Sequence, residues 1–168
     1  MEKGDREAAL ASHIVREIER TFPDRQIGRS MLQKLFFILS REGHIDAQFQ
    51  LFMNGPYSDQ VENALCRAVE SGMVTTVKQN GRSGISARGG MSGEIPAELQ
   101  ERASMCVRAY GFSDDRDLAI LTTAYYLEDR WIMGPDDLVK AVLAVNHSFD
   151  ARRVCSLLDR SDVVFRSW

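Results

Sequence analysis

A nucleophile needs a base within hydrogen-bond reach, and the histidines at hand are His13, His44 and His147. His13 falls within a helical pattern, His44 follows Gly43 at a helix end, and His147 sits near another helix end, so each reads as structural and no catalytic residue is expected. Cys66, Cys106 and Cys155 are far apart and lack the close Cys or His pairs of structural zinc, which predicts three buried free thiols and no metal. The glycines from 84 to 90 have phosphate-loop spacing at Gly84 and Gly89. However, Gly90 stands where the phosphate-binding lysine belongs and Met91 where the magnesium-ligating hydroxyl belongs, so no nucleotide or other cofactor is expected.

The remaining chemistry is that of contact. On a helix expected after Ser58, Gln60 and Asn63 could read base edges and Arg67 could meet phosphate, but Asp59, Glu62 and Glu70 oppose them. Lys78, Arg82 and Arg88 cluster on or beside a glycine-rich loop that could reach a DNA backbone. Asn54-Gly55-Pro56-Tyr57-Ser58 is a turn in which Ser58 can cap and Tyr57 can staple. Tyr57 with Arg29 and Lys34 also makes a candidate contact patch for an anion or a protein.

The elements that must carry these residues are legible in the periodicity. Leu10, Ile14 and Ile18 predict a first helix from Asp5 to Phe22. A second opens at Gly28-Arg29-Ser30, with Ser30 as cap, and ends at Gly43. Its apolar bulk marks it as central, with Gln33, Lys34, Ser40 and Arg41 left for solvent. Ala47 to Met53 reads as a short strand, and the Ser58 helix stops at Gly72. Met73 to Lys78 and Ile85 to Arg88 read as a hairpin with a polar tip from Gln79 to Gly84. Four helical patterns follow, Pro96 to Tyr110, Ser113 to Trp131, Pro135 to His147 and Asp150 to Arg160. Tyr125, Tyr126, Leu127, Trp131 and Ile132 are taken as core, or as a partner surface if exposed.

This order predicts a mainly α fold with a small β-hairpin: a winged-helix-like unit over 1–90 and a helical extension over 91–168 packed on it. Ile27 to Leu39, Phe52 to Ser58 and the helix ending Glu70-Ser71-Gly72-Met73-Val74 resemble the YwgA-like prokaryotic proteins and, more distantly, the Panacea-domain (SocA-like) antitoxins. Asn54 replaces the aromatic usual before Gly55-Pro56 in that family. The resemblance implies a winged-helix-like fold and, through the distant relatives, neutralisation of toxins by protein contact; it supplies no catalytic residues.

The chain has 168 residues, 44% hydrophobic and 27% charged, enough to bury a core. Its net charge of -3 excludes a uniformly basic nucleic-acid coat or polybasic membrane binder, although residues 25–90 carry +3 and the remainder -6. No apolar run approaches the ~20 residues of a membrane span, and the charged N-terminus does not read as a secretory signal, so the cytoplasm is expected. A non-catalytic protein-interaction or regulatory module, binding a protein or a second copy of itself, is the first expectation. A DNA-binding regulator contacting the duplex through Arg29, Lys34, Arg67 and the hairpin cations is the second, and an enzyme is remote.

Overall fold

The computed structural model describes residues 2–165, with side chains to residue 160. The N-terminal stripe folds as α1 (Lys3–Thr21), burying Leu10, Ile14 and Ile18 along one side. α2 (Arg29–Arg41) starts from extended backbone at Gly28, whose carbonyl accepts from the Leu32 N–H. Gly28 is therefore the N-cap, and Ser30, expected in that role, is already helical. All residues from Met31 to Leu39 are buried, which makes α2 the central helix.

Burial all round α2 overturns the expectation that Gln33 and Lys34 face solvent, since both are at most 3% exposed. Helices from the second half of the chain cover the side that periodicity assigned to water. α4 (Ala97–Tyr110) packs on α1 and α2, and α5 (Asp115–Arg130) packs on α2. A segment polar at two positions is buried because each finds acceptors inside.

The expected strand over 47–53 is shorter: β1 (Gln50–Phe52) pairs antiparallel with β2 (Gly55–Tyr57) around the two-residue turn Met53-Asn54. Pro56 is tolerated because a two-stranded ribbon has a free edge where no N–H is needed. α3 (Asp59–Glu70) begins as expected, with Ser58 Oγ accepting from the Val61 N–H at 3.4 Å and Asp59 and Glu62 in the first turn. It lies against α1 and α2.

β3 (Thr75–Gln79) and β4 (Arg82–Ser86) form the second hairpin. Its turn is Asn80-Gly81, with φ of 52° and 75°, the doubly left-handed pair that a tight hairpin demands. The polar tip is therefore two residues rather than Gln79 to Gly84, and Arg82 belongs to a strand. The Ile85 N–H donates to the Ile27 carbonyl at 2.8 Å, fastening β4 to the segment before α2.

α6 (Pro135–Val145) starts with Pro135 in its first turn, and α7 (Ala151–Phe165) follows Asp150, whose carboxylate accepts from the Arg153 N–H. Arg153 also pairs with the buried Asp117, tying α7 to α5. The fold is mainly α with small β-hairpins, and among the described residues no helix is long and apolar enough to cross a membrane. Two side-chain expectations are corrected. Cys106 is buried, but Cys66 is half-buried and Cys155 exposed, because each of these lies towards the outer face of its helix. Tyr125 and Leu127 are core, whereas Trp131 and Ile132 protrude where α5 ends.

Candidate functional site

The first turns of α2 and the β1–β2 hairpin enclose a groove of about 480 Å³ lined by Arg29, Gln33, Lys34, Phe52, Met53, Pro56, Tyr57 and Glu62 among others. Its frame begins with Gln33. The buried Gln33 amide donates to the Ser58 carbonyl at 3.0 Å and accepts from the Ser58 N–H at 2.9 Å, locking the end of β2 and the cap of α3 to α2. Gly55 lies at φ +105°, and a Cβ there would come within 3.1 Å of Thr122 Oγ1 and 3.3 Å of Lys34 Cε, so only glycine lets the hairpin sit this close to α5. The hairpin turn is held by Asn146, whose Nδ2 donates to the Met53 carbonyl at 3.0 Å. Phe52 and Tyr57 pack edge to face across the ribbon, with ring centroids 5.8 Å apart.

Lys34 reaches the groove with its stem buried. Its Nζ donates to the Ser30 hydroxyl at 2.8 Å and the Ser30 carbonyl at 3.3 Å. Burial pulls the ammonium down to about 8 from its ordinary 10.5, with the field of Asp115 opposing. Arg29 pairs with Glu62 and approaches Cys66 Sγ at 3.7 Å. Burial works against its charge, but Cys66 and Glu62 outweigh that and keep its pKa raised. Burial also raises the Tyr57 phenol, helped by Glu62 and Asp59, so it remains a hydrogen-bond donor. At the rim Phe52 is 54% and Met53 63% exposed.

Of the residues singled out in the sequence, Arg29, Lys34 and Tyr57 share this groove. The others are elsewhere. Gln60 uses its side-chain oxygen to accept from the Gln48 N–H at 2.8 Å, and Arg67 pairs with Glu2 and Asp5 at the start of α1. Asn63 is exposed on the same face of α3. Lys78 and Arg82 are exposed on the β3–β4 hairpin and Arg88 is exposed in the turn after it, with no ion pair among the described residues. Residue-by-residue reading missed Gln33, Phe52, Met53 and Asn146 as parts of one site. The signal available for the first was a polar pair, Gln33-Lys34, inside an otherwise apolar run.

A second cleft of about 550 Å³ lies between the end of α2, α4 and α5. There Arg41 is held by Asp129 at 2.8 and 3.0 Å and lies 4.5 Å over the Tyr125 ring, so its charge is spent on bracing α2 against α5. His13 Nε2 is within hydrogen-bond distance of Ser104 Oγ and the Gln100 carbonyl, linking α1 to α4, while His44 faces Glu42 and His147 is exposed. Among the described residues no group of His, Cys, Asp and Glu is placed to hold a metal ion. Compared with known proteins, the chain matches no family model and no curated protein.

Proposed function

We propose that the protein is a non-catalytic interaction module that binds a protein partner through the groove between α2 and the β1–β2 hairpin. One observation carries the reading: Phe52 and Met53, both more than half exposed, border an apolar-lined groove with polar groups set in it. Large apolar side chains gathered at such a rim mark contact surfaces. The resemblance to antitoxins that act by protein contact agrees with this. The α3 face does not favour DNA, because Arg67 and Arg29 are neutralised by carboxylates and Gln60 holds the chain before β1.

The test is co-purification with the tagged full-length protein from cells that encode it, comparing wild type, a Phe52→Ser/Met53→Ser pair and an Arg82→Ala/Arg88→Ala pair. A stoichiometric partner lost with the first pair and kept with the second is the expected result. Capture that survives the first pair overturns the reading.

A winged-helix DNA-binding regulator is the second reading, favoured by Lys78 and Arg82 on the hairpin and Arg88 just after it, all exposed and without an ion pair among the described residues. It requires duplex binding that weakens steeply with salt and is lost in the Arg82→Ala/Arg88→Ala protein.

A further inference from the structure

We propose that the groove seats a carboxylate carried by a peptide segment of the protein partner, with the Lys34 ammonium as its receptor. This rests on the groove being the docking surface. Lys34 is only 3% exposed, yet its contacts are to neutral oxygens, the hydroxyl and carbonyl of Ser30. These occupy two of three ammonium hydrogens, and the third has no acceptor among the described residues. A buried cation is costly unless a counter-charge meets it. The nearby carboxylates are committed elsewhere, Glu62 to Arg29 and Asp115 to Arg25 at 2.8 Å.

The charge pattern sets the class of ligand. Arg29 and Glu62 cancel, so the lining carries one surplus positive charge, that of Lys34. A single carboxylate matches it, whereas a phosphate dianion would leave a negative charge facing Glu62. The Tyr57 hydroxyl, on the same lining, is a second donor. Phe52 and Met53 line the groove yet stay more than half exposed, so apolar surface remains open at its mouth. That suits a stretch of chain running on beyond its carboxylate better than a small acid enclosed within. The carboxylate comes either from an Asp or Glu side chain or from a chain terminus, and both present the same two oxygens.

The experiment pans randomised heptapeptide libraries, one with free C-termini and one amidated, on the immobilised full-length protein and on Lys34→Met. Wild type is expected to enrich peptides with a carboxylate beside apolar residues. Enrichment from the amidated library assigns a side-chain carboxylate, and enrichment confined to the free-ended library assigns a terminal one. By fluorescence anisotropy the enriched peptides should bind Lys34→Met at least tenfold more weakly. On the unaltered protein, replacing the peptide's Asp by Asn, or amidating its terminus, should cost the same factor, which keeps the test independent of how the variant folds. No enrichment, enrichment without a carboxylate, or equal binding of the neutral peptides overturns the proposal. Partner capture that Phe52→Ser/Met53→Ser abolishes and Lys34→Met leaves intact removes the carboxylate and spares the groove.

Discussion

Lys34 is held charged at a cost, and the cost has a direction in pH. Its folded pKa of about 8 lies below the ordinary 10.5, so between those values the unfolded chain binds more protons and stability rises with pH. The contribution is complete above about 10.5 and lost as pH falls through 8, where the penalty reaches roughly 3 kcal/mol. Lys34→Met should therefore melt higher than wild type at pH 7, and the gap should close towards pH 10; thermal melts across that range check it. Gln33 behaves oppositely. Gln33→Leu removes the acceptor of the buried Ser58 N–H while the Ser58 carbonyl keeps the Glu62 N–H, so an expected loss of about 1–3 kcal/mol appears in urea denaturation. Gln33 stood out in the sequence only as an interruption of an apolar run, and Lys34 as a contact candidate expected to face solvent. Their burial was illegible there because the surfaces that cover them, β2 and α5, lie more than 20 and 80 positions further on.

At the scale of elements, the helices followed from side-chain spacing, since their stripes are local and their caps, Ser58 above all, act within one turn. The β1–β2 ribbon was read as one strand and a turn because three-residue strands carry no periodicity, and Gly55-Pro56 is a turn signal in nearly any context. Gly55 shows what that pair does here. Gly55→Ala must force an alanine into positive φ and push its methyl against Thr122 and Lys34, with a cost of about 2–4 kcal/mol and a loosened groove. A lowered melting temperature accompanied by faster amide exchange at Phe52 and Tyr57 would bear this out. By contrast, Lys78→Ala with Arg82→Ala and Arg88→Ala touches only exposed side chains. It should change melting by less than about 0.5 kcal/mol, so any effect on binding is one of contact rather than of folding.

For the whole molecule, the β3–β4 hairpin, whose β4 packs on α1, looks like the edge of a self-sufficient unit ending near residue 90, yet the groove does not belong to that unit alone. Its floor abuts Thr122 and Ala119 of α5, and α2 depends on α4 and α5 for cover. A 1–90 fragment would expose the apolar side of α2, including residues fully buried in the whole chain, and is expected to remain unfolded or aggregate, as circular dichroism and sedimentation would show. Packing of residues 91–168 on the first unit was expected from the sequence, but their part in the groove was not, because mutual cover between distant helices leaves no local pattern. The bond from Asn146 to the Met53 carbonyl extends the dependence further. A ribosome must deliver position 146 before the turn at 53–54 is pinned, so a nascent or clipped chain cannot display the groove in finished form. On the proposed reading, recognition is thereby reserved for molecules that have been synthesised at least that far.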